Sequence, residues 1–149
     1  MPEQMWTERQ FDEMSWHDNH VHALRIVEGP HGAGELILDL DYILEWHCAT
    51  EGHRFLILPA MLRFLEVTQL CLRLDYATPM AALGPFSIHA IERRSEPRER
   101  YVAQLWRIAI NWPADEISFE ATGFVQRGSG APVTSEAQCL RPEQRTRAA

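Results

Sequence analysis

The 149-residue chain has no lysine, and all 14 of its strong cations are arginines. This absence excludes a Schiff-base lysine, a lysine general base and the lysine of a phosphate-binding loop. Cysteine is also scarce, with Cys48, Cys71 and Cys139 widely spaced and without a Cys-x-x-Cys pair. An odd set of this kind favours a reducing, cytoplasmic compartment over a disulfide framework.

Long hydrophobic runs are missing as well. Arg, Asp or Glu interrupts every apolar stretch before it reaches the length of a membrane span. Residues 1–5 are acidic and lack the apolar centre of a secretory signal. The sequence therefore predicts a protein without membrane contact.

The charge of the chain is unbalanced towards acid, with a formal net charge of -7 at pH 7. Residues 128–149 hold three arginines and two glutamates, so they carry +1 and residues 1–127 carry -8. An acidic body argues against nucleic-acid binding, which needs cations to neutralise phosphates. It is compatible with a basic protein partner.

Fingerprints of common catalytic and nucleotide sites are also absent. The chain contains no Gly-x-Ser-x-Gly, no His-Glu-x-x-His and no Gly-x-Gly-x-x-Gly. We therefore assign no catalytic residue and expect no cofactor. Carboxylates, histidines and tryptophans remain as candidates for binding.

A period of two in the apolar residues dominates the chain from about residue 20. The segment Glu35–Trp46 is the clearest case, because leucines occupy alternate positions between acidic residues. Residues 60–70 fit a helical turn almost as well, and we favour a strand because the flanking periods are two. The pattern predicts an all-β fold of about seven mostly antiparallel strands, in a sandwich or a strongly curved, partly closed sheet.

One domain is expected, comprising residues 1–127. Residues 1–15 are polar with scattered large apolar side chains, and they predict a short helix or an N-terminal arm. From Gly128 onward, Gly, Ser, Pro, Thr, Gln and Arg dominate and no periodicity survives. Residues 128–149 are therefore predicted to form a disordered tail.

The run Trp16-His17-Asp18-Asn19 precedes the first predicted strand and has two interpretations. In the structural one, Asp18 or Asn19 forms a turn that sets the entry into the strand, and Trp16 fills one end of the core. In the functional one, Trp16, His17 and Asp18 contribute to a binding surface.

Asp39, Asp41 and Glu45 lie on one face of the strand predicted for residues 35–46. Paired carboxylates do acid–base chemistry where burial separates their pKa values, but a wet sheet surface is the simpler interpretation. The same acidic stripe is a candidate for half of a protein interface, because it would attract a basic partner.

His20 and His22 share a strand face about 7 Å apart at Cα, so both can reach one Zn²⁺ or Fe²⁺. Further ligands would have to come from other segments, and none of the candidates shows a recognisable ligand spacing. Those candidates are His31, His47, His53, His89 and the Asp39/Asp41 pair. A small metal-dependent enzyme or metal binder is therefore an alternative rather than the main hypothesis.

Trp46, Trp106 and Trp112 lie on apolar faces of predicted strands. Core packing is the default for such residues, because a tryptophan buries a large apolar area. A barrel that holds an apolar small ligand among these three side chains is a second alternative.

The order of these features resembles a set of small bacterial all-β proteins of unknown function that begin with a Trp-His-Asp motif. Some members are encoded beside toxin genes and are considered immunity proteins, so the resemblance implies an all-β fold and a function exerted by binding. The set has no assigned catalytic residue, and none is carried over. The resemblance spans about residues 11–127 and is carried by Trp16-His17-Asp18, Gly34–Leu40, Phe64-x-x-Val67-x-x-Leu70, Trp106-Arg107-Ile108 and Glu116–Ala121.

The main hypothesis from the sequence is a non-enzymatic cytosolic binding protein, immunity-like, that engages a protein partner. Its acidic body and the missing catalytic fingerprints motivate this choice. An exposed edge strand would also permit a homodimer.

Overall fold

Nine strands, each antiparallel to its neighbours, form one sheet in the computed structural model, which describes residues 4–77 and 82–148. The predicted all-β class is confirmed, with nine strands rather than about seven. None of the helices in the described residues has the length and apolar character that crossing a bilayer requires. The strands are β1 Met5–Thr7, β2 His20–Val27, β3 Gly34–Ala49, β4 Gly52–Leu74, β5 Phe86–Pro97, β6 Val102–Trp112, β7 Asp115–Glu120, β8 Gly123–Gly128 and β9 Val133–Ser135; 3₁₀ helices span Glu8–Glu13 and Pro30–Gly32, and the α-helix α1 spans Pro142–Ala148.

β3 and β4 form the longest hairpin of the sheet and pair along the whole of β3. Successive side chains of a strand point to opposite faces, so the apolar residues at even positions of β3 share one face. Leu36, Leu38 and Leu40 are fully buried on that face. The inward orientation that the alternation predicts is therefore confirmed for these leucines. It does not extend to Trp46, which is 45% exposed and follows an irregularity in the pairing between Ile43 and Glu45.

β4 is a strand of 23 residues, and it does not run straight. It bends at Glu66 and Gln69, whose φ angles of 53° and 56° lie in the left-handed region. Irregularities of this kind bend a strand and increase its twist. Before the bend β4 pairs with β8, and after it with β7. The strand favoured for residues 60–70 is confirmed.

The bend in β4 closes the sheet into a ring, because β7 continues through β6, β5 and β2 back to β3. β2 and β5 share two residue pairs, and the turn before β2 reinforces this joint. The Asp18 N–H donates to the Ile88 carbonyl at 2.7 Å, and the Ile88 N–H donates to the Asn19 carbonyl at 2.9 Å. The architecture is the curved, partly closed sheet rather than the sandwich.

Aromatic side chains fill the inside of the ring. The Phe64 ring lies 4.6 Å from Phe119, 5.2 Å from Trp106 and 5.8 Å from Phe124, measured between ring centres. The N-terminal arm adds Phe11, whose ring lies 5.4 Å from that of Trp106. Tilted and edge-on contacts of this kind stabilise a core beyond the area that they bury.

A second, smaller apolar cluster comprises Ile43, Phe55, Ile57 and Leu140. Leu140 belongs to what we call the C-terminal segment, residues 129–148. The composition of residues 128–149 predicts a disordered tail, and the structure differs. The C-terminal segment pairs β9 with β4 and buries Leu140, because a short strand and one apolar side chain suffice to hold it although neither leaves a periodic pattern.

Leu62 and Leu83 offer a matched test of the core, because Leu62 has no exposed surface and Leu83 is 92% exposed. We expect Leu62→Ala to lower the free energy of unfolding by about 2–5 kcal/mol, since it leaves a cavity inside the ring. Leu83→Ala should change it by less than about 0.5 kcal/mol. Urea denaturation followed by tryptophan fluorescence measures both. Equal losses would contradict the packing described.

Candidate functional site

Trp16 fills the core, as the structural interpretation of its turn predicts. It is 3% exposed, and its indole N–H donates to Gln126 Oε1 at 2.8 Å. Its ring lies 5.8 Å from Phe11 and 5.7 Å from Phe124. A partner cannot reach this side chain, so Trp16 cannot contribute contact area to the predicted binding surface.

Asp18 also has a structural environment. Its φ angle of 62° lies in the left-handed region, which Asp tolerates better than most residues. Its carboxylate accepts hydrogen bonds from Asn111 Nδ2 at 2.8 Å and from Gln138 Nε2 at 3.1 Å. Because Gln138 belongs to the C-terminal segment, this carboxylate ties the segment to the turn before β2.

The three tryptophans of the apolar-ligand hypothesis do not share one environment. Trp106 is 2% exposed and packs in the ring, whereas Trp46 is 45% and Trp112 is 51% exposed. Trp46 instead stacks on His17, with ring centres 6.3 Å apart. His17 donates from Nδ1 to the carbonyl of His89 at 3.0 Å. The geometry therefore gives no support to a ligand pocket built by the three indoles.

The predicted acidic stripe is divided between solvent and interior. Glu45 is exposed, as expected for a solvated face, and its Oε2 lies 2.8 Å from His47 Nε2. Asp39 is partly buried, and Asp41 has no exposed surface. The prediction of a solvated face is wrong at Asp41, because the C-terminal segment covers that part of β3.

Asp41 is the most heavily bonded side chain of this region. His22 Nε2 lies 2.8 Å from its Oδ2, and the Leu140 backbone N–H donates to the same oxygen at 2.7 Å. The Arg145 guanidinium contacts Oδ1 of Asp41 and also Oδ1 of Asp39. A buried carboxylate persists only where such hydrogen bonds and opposite charge compensate its lost hydration. Asp41 therefore joins β2, β3 and the C-terminal segment.

His20 and His22 both lie in β2, where the pairing with β3 is irregular between Val21 and Ala23, and their imidazoles have different surroundings. His22 bonds Asp41, whereas the buried Nδ1 of His20 has no hydrogen-bond partner among the described residues. Burial lowers the pKa of His20, and the negative charge of Asp41 opposes that shift. The residues whose ligand atoms converge are His22, Asp41 and Cys139, without His20. Of the two histidines considered as metal ligands in the sequence, His22 belongs to this group and His20 does not.

Cys139 lies close to His22, but its position is not that of the nucleophile in a catalytic triad. Its Sγ is 3.9 Å from His22 Nε2, the same ring nitrogen that faces Asp41. In a triad the acid and the nucleophile contact opposite nitrogens of the imidazole. Burial, reinforced by the charge of Asp41, raises the pKa of Cys139 to about 11. Such a thiol stays protonated at neutral pH and is a poor nucleophile.

Sequence reasoning missed Cys139, Leu140 and Arg145, all in the C-terminal segment. No periodic pattern marks them, because each makes its contact as a single residue. One usable signal was present in the charges: residues 128–149 carry +1 against -8 for the rest of the chain. Opposite charge on a tail and on a body indicates that the tail can dock on the body.

A separate cleft of about 750 Å³ lies along β5, β6 and β7 and is lined by several arginines. Its cations are already paired: Arg107 contacts Glu92 at 3.3 Å and also Glu116, and Arg98 contacts Glu96 at 3.1 Å. These pairs leave little net positive charge for an anionic ligand. The region around Asp41 is therefore the stronger candidate site.

Comparisons of the chain with protein-family models, with curated proteins and with solved structures find no match. The resemblance to immunity-like proteins consequently stays a prediction.

Arg145 provides a test of the contacts that hold the C-terminal segment. Removing one partner of a buried ion pair generally costs about 3–5 kcal/mol. We expect Arg145→Ala to lower the free energy of unfolding by about 3 kcal/mol. This is the low end of that range, because His22 and the Leu140 N–H still bond Asp41. We also expect faster amide hydrogen exchange in residues 136–148, since the segment can detach locally while the ring stays folded.

The control for this prediction is Arg107→Ala, which breaks exposed ion pairs with Glu92 and Glu116. Exposed pairs contribute less than about 1 kcal/mol, so stability should barely change. Exchange in the C-terminal segment should not change either. If both variants lose the same stability, Arg145 does not hold the segment.

Proposed function

We propose that this chain is a non-enzymatic binding protein, and that Asp39 and Asp41 engage an arginine-bearing segment of a protein partner. In the free protein the C-terminal segment occupies the same place. The proposal keeps the binding function predicted from the sequence and changes its mode, from an open acidic stripe to a site that is occupied from within.

The observation that carries this proposal is the way in which Arg145 is held. One guanidinium contacts two carboxylates, Asp39 and Asp41, of which one has no exposed surface. Guanidinium groups pair with carboxylates through several donors in a fixed geometry, which makes such a site selective for arginine over other cations. An arginine receptor of this kind recognises a peptide from another chain by the same contacts.

The other contacts of the segment define what such a peptide needs. The Leu140 backbone N–H donates to Asp41, and the Leu140 side chain is buried against Ile43, Phe55 and Ile57. A ligand of this site therefore combines an apolar anchor with an arginine five residues later. The charge of -8 on residues 1–127 would also speed the approach of a basic partner.

Binding rather than catalysis is the better use of this geometry. The raised pKa of Cys139 and its position on the same imidazole nitrogen as Asp41 disfavour nucleophilic chemistry. A tethered segment acts at an effective concentration in the millimolar range, so a partner has to exceed that competition to displace it. The site therefore becomes accessible only when a partner displaces the C-terminal segment.

The proposal predicts that the site binds its own segment when that segment is supplied from outside. The receptor is the full chain with Leu140→Ala and Arg145→Ala, in which the internal segment is weakened. The ligand is a fluorescent synthetic peptide of residues 136–149 with Ser in place of Cys139. We expect the peptide to bind this receptor and to bind the unaltered protein at least about tenfold more weakly, because there the site is occupied.

Two peptide variants control for nonspecific charge attraction. Arg145→Gln removes the guanidinium that contacts both carboxylates, whereas Arg141→Gln removes one that is exposed. Fluorescence anisotropy should show binding of the Arg141→Gln peptide and little binding of the Arg145→Gln peptide. Equal binding of the two, or none by the parent peptide, would refute the proposed arginine site.

A further inference from the structure

Three potential metal ligands of different kinds meet around one point at the edge of the C-terminal segment. His22 Nε2, an Asp41 carboxylate oxygen and Cys139 Sγ all lie within 4.8 Å of one another. His22 comes from β2, Asp41 from β3 and Cys139 from the C-terminal segment. Imidazole nitrogen, carboxylate oxygen and thiolate sulfur are the donors that Zn²⁺ takes in proteins.

We propose that His22, Asp41 and Cys139 form a binding site for a divalent zinc-like cation. Asp41 and the Cys139 thiolate supply two negative charges, which balance the two positive charges of the ion. On binding, the Cys139 proton leaves to solvent, and a neutral His22 with its proton on Nδ1 presents Nε2 to the ion. The net change is one ion bound and one proton released.

The proposed ligation is compatible with the contacts that hold the segment. Arg145 contacts the other carboxylate oxygen of Asp41, Oδ1, and can stay there. The Leu140 N–H can remain on Oδ2, because a carboxylate oxygen has more than one lone pair. The ion replaces the direct hydrogen bond between His22 and Asp41, which is now 2.8 Å long. It also replaces the weak contacts of the Cys139 thiol with the Leu140 carbonyl at 3.7 Å and with His22 Nε2 at 3.9 Å.

Access to the site is provided by a cleft of about 550 Å³ lined by His22, Cys139, Pro85 and Pro142, among others. Three protein ligands beside an open cleft leave a fourth position for water or for a small ligand. Because the ligands come from three separate elements, the bound ion would also fasten the C-terminal segment to the sheet. The metal site does not depend on the proposed arginine-peptide function.

The cysteines of this chain allow a matched test of the site. Cys139 is partly buried beside His22, whereas Cys48 and Cys71 are exposed. The full chain is purified without a histidine tag and titrated with Co²⁺, whose bond to a thiolate gives a charge-transfer absorption. We expect this absorption in the unaltered protein, Cys48→Ser and Cys71→Ser, and its loss in Cys139→Ser.

A direct measurement of zinc completes the experiment. Equilibrium dialysis should give about one equivalent of Zn²⁺, the stoichiometry of a single mononuclear site. Cys139→Ser should bind at least about tenfold more weakly, since even the loss of a group that supports a ligand costs that much. His22→Gln should have the same effect, and circular dichroism checks that both variants remain folded.

Two outcomes would overturn the proposal. One is no Co²⁺ absorption in the unaltered protein, together with less than about a tenth of an equivalent of zinc. The other is an absorption that Cys139→Ser keeps and Cys48→Ser loses, which would place the ion at the tip of the β3–β4 hairpin, where Cys48 pairs with His53. Neither outcome bears on the arginine-peptide assay, so the two proposals fail separately.

Discussion

The burial of the Asp41 carboxylate is the constraint on which the arrangement of this face depends. The Asp41 carboxylate has no exposed surface and has lost its hydration. It therefore requires hydrogen-bond donors and a positive charge from the protein. His22, the Leu140 N–H and Arg145 meet this requirement from three different elements. The docked C-terminal segment, the contact of Arg145 with the acidic residues and the convergence of His22, Asp41 and Cys139 are all centred on this carboxylate.

Because of this arrangement, the middle of β3 is buried on both faces. One face contributes Leu36, Leu38 and Leu40 to the aromatic core of the ring, and the C-terminal segment covers the other face at Asp41 and Ile43. A strand of an antiparallel sheet usually has one wet face, which is what its alternating pattern indicates. Here the C-terminal segment covers part of the wet face. Of the acidic stripe, Asp41 is buried, Asp39 is partly buried and Glu45 is exposed.

The two proposals use the same carboxylate and have opposite effects on the C-terminal segment. A partner that supplies its own arginine would displace the segment from Asp39 and Asp41. A cation bound by His22, Asp41 and Cys139 would hold the segment in place. If both occur, the ion and the partner compete by thermodynamic linkage, because each binds preferentially to a different position of the segment.

The sequence by itself determined the all-β class and the inward positions of the leucines of β3, because a period of two acts locally. For Trp16 it left two interpretations, and the structure decided in favour of core packing. The sequence also located three of the residues at the candidate site, His22, Asp39 and Asp41. Tertiary structure alone decided that Asp41 is buried and that His20 is not its partner. It also brought Cys139, Leu140 and Arg145 to the site from about 100 residues away in the chain. Such contacts are made by single side chains across the fold, so no periodic pattern in the sequence indicates them. They stabilise the protein only after the ring has formed and has ordered the residues that make them.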